Sequence, residues 1–166
     1  RGQWGFKKGD MSDAQYEKHL DAHARPVFER LSQQCKLEKI LRPQVVYGYY
    51  PVNSDGDDLV VYDPKQQDRE IERFKFPRQG SRERLCIADF FRPVSSGVKD
   101  VLGLHCVTVG AEVSQCAKRL FEANEYTEYL YLHGFGVECA EALAEMWHKR
   151  MRAELGYRDA VRAREA

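Results

Sequence analysis

The run VVYGYYPVNSDGDDLVVY over residues 45–62 constrains the fold of this chain more than any other segment. Two stretches rich in Val and Tyr flank Asn53-Ser54-Asp55-Gly56-Asp57. β-Branched and aromatic side chains fit a pleated, half-buried surface. An Asp-Gly pair accepts the positive φ that a tight hairpin demands. The segment therefore predicts strand, turn and antiparallel partner strand, over 45–51 and 59–63.

The flanks of this hairpin read as helix. Ser12 followed by Gln15 forms a capping-box pattern. It opens a helix predicted over 13–38 and interrupted near Pro26, with an apolar stripe of Leu20, Val27, Leu31 and Leu37. After the hairpin, RFKFP (73–77) alternates as a half-buried strand, and VLGLHCVTVG (101–110) reads as a buried central strand. Helices are predicted over 111–123 and 125–155, with Asn124 as N-cap of the second. Tyr129, Leu132, Ala140, Leu143, Trp147 and Met151 form its core-facing stripe. Gly134 and Gly136 mark a bend or a close approach within it.

The expected architecture is α+β, an antiparallel β-sheet packed by long α-helices. One domain is expected over 1–166: a helical entry (1–40), a strand-rich centre (44–110), long helices (111–157) and a charged tail (158–166) that frays. The chain opens on Arg1 rather than Met, as a piece of a longer protein would.

Composition excludes several function classes. Lys+Arg and Asp+Glu are equal at 26 each, for zero formal net charge. A protein built to grip nucleic acid carries a basic excess, so no nucleic-acid partner is expected. No apolar run approaches the roughly 18 residues of a membrane span, and no signal-peptide core follows the start. Cys35, Cys86, Cys106, Cys116 and Cys139 are odd in number and contain no CxxC pair. They read as reduced, mostly buried thiols of a cytoplasmic protein.

Some side chains could carry chemistry. Glu141, Glu145 and His148 share one helical face, and Glu145-x-x-His148 is half of a di-iron carboxylate pattern. A second such pair is missing from the sequence, so a solvated helix face is the plainer reading. His105, Cys106, Cys116, His133 and Cys139 are metal-ligand types at spacings that match no zinc motif, and read as core residues. The aromatic run EYTEYLYLHGF (125–135) suits core packing, or the wall of a planar or cationic ligand. Arg78, Arg82 and Arg84 read as a solvated basic loop rather than a phosphate site.

Four blocks, in order, carry a family resemblance. RPQVVYGYYPVNSDGDDLVVYD (42–63), RLCIADFFRP (84–93), VLGLHCVTVG (101–110) and NEYTEYLYLHGFGVECAEALAEMWHKRMRAELGY (124–157) resemble the activation domain of cobalamin-dependent methionine synthases. That resemblance implies a module supporting S-adenosylmethionine-dependent reductive methylation of cob(II)alamin, with the cobalamin on a neighbouring module and a flavodoxin-type electron donor. It implies chemistry at cobalt and the sulfonium, with no catalytic side chain in this segment. The family's ligand-binding helix glutamate matches Glu141, in Ala140-Glu141-Ala142-Leu143-Ala144-Glu145. The family's aspartate ahead of the first helix and its Arg-x-x-x-Gly-Tyr-Pro-x-Cys-Pro segment have no counterpart in these residues. The S-adenosylmethionine site is thus expected to be incomplete in this chain, and the chain inactive by itself. A docking module for a corrinoid protein or electron donor is the alternative implied by the same resemblance.

Overall fold

A computed structural model describes residues 4–81 and 83–157. The expected charged tail and Arg82 lie outside the described residues. The fold is α+β. Its elements run α1 (Asp13–His19), a π-helical turn (Leu20–Ala24), α2 (Arg25–Leu37), β1 (Gln44–Asp55), β2 (Asp58–Tyr62), β3 (Glu70–Lys75), β4 (Asp100–Thr108), α3 (Glu112–Glu122) and α4 (Tyr126–Glu154). Two short 3₁₀ turns, Ile87–Phe90 and Val94–Ser96, lie between β3 and β4. The chain divides into two compact units, residues 47–105 and residues 1–46 with 106–166.

The first unit is built on the hairpin. β1 and β2 pair antiparallel, with Val52 opposite Val61 and Asp55 opposite Asp58. Gly56 takes the first loop position at φ 62°, where a Cβ is disfavoured. The four-stranded sheet has the order β3-β2-β1-β4. Val52, Leu59 and Val61 form its buried cluster, with Phe76, Phe91 and Leu102 against them. Asn53 belongs to the strand rather than the turn, and it is buried. Its amide donates to the carbonyls of Arg92 (3.1 Å) and Val98 (2.8 Å), fastening the 92–98 loop to the sheet.

Two strand expectations are corrected. VLGLHCVTVG is an edge strand, β4, with most side chains exposed. Its continuous apolar run mimics a buried strand, because periodicity alone does not report position in a sheet. β3 is the other edge, and all six of its residues are exposed rather than half-buried.

The second unit is helical. Its core gathers Leu31, Cys35, Ile40, Val109, Val113, Ala117, Leu132 and Phe135. The Ser12–Gln15 capping box forms in both directions, at 3.3 and 2.9 Å. The expected interruption near Pro26 is the π-helical turn just before α2. Proline lacks the N–H that would continue the α-helical ladder across this point. Leu37 is exposed, contrary to the expected stripe. Cys35 lies one turn beyond Leu31 and takes the core position, and the helix ends at Leu37.

Asn124 is not the N-cap of α4. It follows α3 in a left-handed conformation (φ 63°) and donates its backbone N–H to Phe121 O at 3.0 Å. Asparagine tolerates that geometry better than most residues, so it serves the end of one helix rather than the start of the next. α4 is one 29-residue helix, and its buried residues are Leu132, Gly134, Phe135, Gly136 and Met151.

Candidate functional site

α4 is the element that organises the candidate site. Its N-terminal half is held by an aromatic entry segment. Trp4 donates its indole N–H to Tyr131 O at 3.1 Å, and Phe6 stacks on Tyr131 at 6.4 Å with 9° between planes. Tyr16 donates its hydroxyl to Phe6 O at 2.7 Å, tying α1 to that segment. Arg30 of α2 grips Glu128 with bonds of 2.7 and 3.0 Å. The run 125–135 is therefore largely packing. Phe135 is in the core, Tyr129 packs on it and stacks on His133, while Tyr126 and Leu130 are exposed.

A groove of about 610 Å³ runs between the first helical stretch and α4. One wall carries Glu17, Leu20, Asp21, Ala24, Arg25 and Phe28. The other carries Gly134, Phe135, Glu138, Cys139 and Ala142, and Trp4 also lines it. Phe28 stands edge-on to Phe135 at 5.6 Å. A smaller cavity of about 250 Å³ lies on another face of α4, beside Thr108, Gly110, Val113, His133, Gly136 and Ala140.

Glu141, Glu145 and His148 are all exposed on α4. Glu141 lines neither cavity. The helical period explains this. Positions 134, 138 and 142 face the groove, positions 133, 136 and 140 face the smaller cavity, and position 141 lies on the flank between. Glu141 makes no ion pair among the described residues, so its carboxylate is available to a cation. Among the described residues, no group of three or more His, Cys, Asp or Glu gathers at metal-holding distance.

The cysteines divide by environment. All five are free thiols. Cys35 and Cys86 are buried, Cys116 and Cys139 half-buried, and Cys106 exposed. The expectation of mostly buried thiols holds for Cys35 and Cys86 alone, and Cys106 lies on β4, most of whose side chains are exposed. Burial pushes the Cys35 thiol up to about 11. Burial, and then the neighbouring Glu138, also raises Cys139.

The basic loop is not simply solvated. Arg78 donates to both oxygens of Asp89 at 2.7 Å each and to Asp57 at 2.8 and 3.0 Å. The guanidinium holds the Asp89 carboxyl below its usual range. Arg78 is therefore a structural clasp of the sheet unit, and Arg84 is exposed.

Sequence reasoning missed the groove. Its residues come from segments far apart in the chain, and only the i, i+4 spacing of Leu20, Ala24 and Phe28 hinted at a second helical face.

The family model for the activation domain of vitamin B12-dependent methionine synthase matches residues 3–165. The chain belongs to that family. It is 40% identical to the methionine synthase of Mycobacterium tuberculosis and 37% identical to that of Mycobacterium leprae, over 164 residues in each case. Each match covers 94% of this chain and 14% of the relative, so the chain spans about a seventh of their length. Among solved structures, a crystal structure of the MetH reactivation domain bound to AdoHcy matches with a TM-score of 0.71 at 28% identity. That match covers 80% of this chain and 43% of the solved one. The α+β architecture is thus that of a reactivation domain.

Proposed function

We propose that this chain serves a methionine synthase as part of its reactivation module. It supports S-adenosylmethionine-dependent reductive methylation of cob(II)alamin carried on a neighbouring module of the same enzyme. The observation that carries this reading is the likeness to a reactivation domain solved with AdoHcy, the demethylated form of S-adenosylmethionine. A flavodoxin-type protein is the proposed electron donor, and the cytoplasm the proposed location. No helix among the described residues is long and apolar enough to cross a membrane.

Within this reading, residues 1–166 form one partial activation domain. Glu141 is the residue proposed to hold the methyl donor. Its exposed carboxylate suits a charge-assisted bond to the ammonium of the ligand's methionine moiety, or a field acting on the sulfonium. The cobalamin supplies the chemistry at cobalt. This chain's contribution is positioning, which turns a bimolecular encounter into a directed one. The rest of the ligand's contacts are proposed to come from the family's aspartate and Arg-x-x-x-Gly-Tyr-Pro-x-Cys-Pro segment, which have no counterpart in these residues.

Calorimetric titration tests the reading. S-Adenosylmethionine binds a longer protein that carries this chain, and Glu141→Gln weakens it by about tenfold, the order expected for one charge-assisted contact. The 166-residue chain alone binds weakly or not at all, and is inactive alone. Absence of binding even in the longer protein would leave docking, to a corrinoid protein or an electron donor, as the surviving role.

A further inference from the structure

The first helical stretch carries a histidine pair that the proposed role of Glu141 does not use. His19 closes α1, and His23 lies four residues on, within the π-helical turn Leu20–Ala24. That spacing brings two side chains to one face of a helix. The imidazoles lie together, with ring centroids 4.6 Å apart and planes tilted by 54°. His19 is half-buried and His23 exposed, so the pair opens on solvent. Neither ring makes a hydrogen bond or ion pair among the described residues.

The half-buried ring is held in place. Phe6 stands edge-on to His19 at 6.1 Å. Phe6 is itself stacked on Tyr131, and its carbonyl accepts from the Tyr16 hydroxyl. The pair therefore joins one oriented ring to an exposed ring that can turn toward the same point.

Imidazole is the commonest protein ligand for metals, and it binds as the neutral ring. Two histidines four apart on a helix can share one ion, as they do in the H-E-x-x-H pattern. With metal–nitrogen bonds of about 2.1 Å, an ion faced by both rings at this separation meets their nitrogens at roughly a right angle. That is the cis angle of tetragonal coordination, which Cu²⁺ and Ni²⁺ favour. Mg²⁺ and Ca²⁺ take oxygen ligands instead. Among the described residues no group of three or more His, Cys, Asp or Glu gathers here. The other coordination positions are left to water or to an outside ligand.

We propose that His19 and His23 form a two-point chelating site for a divalent transition cation of the Cu²⁺ and Ni²⁺ class, bridging the π-helical turn. The site goes beyond the S-adenosylmethionine reading and does not use Glu141.

The untagged 166-residue chain, its accessible thiols alkylated beforehand, is titrated with NiCl₂ by calorimetry. One ion binds per chain, and MgCl₂ gives no binding. His19→Gln and His23→Gln each weaken Ni²⁺ binding at least about tenfold, because the second nitrogen no longer binds intramolecularly. His148→Ala leaves it unchanged. In NMR spectra, Ni²⁺ perturbs the ring protons of His19 and His23 before those of His105, His133 and His148. Saturating Ni²⁺ raises the melting temperature of the parent and not of His23→Gln, since the ion binds only the folded pair. Circular dichroism confirms that each variant is folded, and the exposed position of His23 keeps that variant informative. No binding of Ni²⁺ or Cu²⁺, undiminished binding by folded His23→Gln, or earlier perturbation of another histidine overturns the proposal.

Discussion

Gly136 on α4 lies so close to Val113 on α3 that a Cβ at position 136 would stand 2.9 Å from Val113 Cγ2. Both residues are buried, and Val113 belongs to the helical core. The glycine lets two helices approach where any side chain would force one of them outward. Gly136→Ala is expected to destabilise the chain by about 1–3 kcal/mol, the usual cost of overpacking. Val113→Ala in the same chain should recover part of that loss. Urea melts of the two single variants and the double variant measure the coupling, and strict additivity would refute the contact.

Leu31 is 1% exposed and sits in the same core. Leu31→Ala removes its buried methyl groups and leaves a space that α2 and α4 fill only in part. The expected loss is about 2–5 kcal/mol by denaturant unfolding. A loss below the range for an exposed position would mean that the helices do not pack as described.

The Arg78 clasp gives a pH signature. Asp89 titrates below its ordinary value because of Arg78 first, and the backbone N–H of Cys86 also contributes. A carboxyl whose folded pKa is depressed stabilises the fold above its unfolded pKa of about 3.9, and that stability disappears as pH falls through the folded value. Arg78→Met is therefore expected to melt at lower temperature than the parent at pH 7. The gap should narrow as the pH is taken down through the carboxylate range. A gap independent of pH would show that the arginine acts through packing alone.

Thiol labelling separates the edge strand from the core. Iodoacetamide reacts with the thiolate. With its pKa near 11, Cys35 holds roughly one thiolate in a thousand at pH 8, and it is buried as well. Cys106 on β4 is exposed and should label first, ahead of Cys35 and Cys86. Mass spectrometry of timed samples reads the order, and slow labelling of Cys106 would contradict its edge position.

Glu141→Gln should leave stability within about 0.5 kcal/mol of the parent, because the side chain is exposed and makes no ion pair among the described residues. A large stability loss would assign Glu141 to the fold and withdraw it from ligand binding.

The local signals in the sequence were accurate where one segment decides its own conformation. The Asp55-Gly56 hairpin, the Ser12–Gln15 capping box and the length of α4 are all of this kind. The errors concern placement. β4 is as apolar as a central strand, yet nothing in VLGLHCVTVG specifies how many neighbours it has. Asn124 suits either end of a helix, and only the helix before it decides which. Asn53 looks like a turn residue until the 92–98 loop arrives to take its amide. The groove needed both helical walls in space before it could be recognised, whereas Glu141 came from family resemblance and not from its surroundings.

The π-helical turn Leu20–Ala24 has a consequence for how this helix tolerates changes of length. It divides what reads as one stripe into two: Leu20, Ala24 and Phe28 line the groove, while Val27, Leu31 and Cys35 face the core. A π turn accommodates one residue more than the α-helical ladder around it. Deleting a single residue between Leu20 and Ala24 would let an uninterrupted α-helix form with α1 and α2 keeping their relative facing, whereas a deletion within α1 itself would turn the residues ahead of it by roughly 100°. The helical content and the facing of both stripes would be kept, so the π turn is the place along this helix where one residue can be lost without moving either wall.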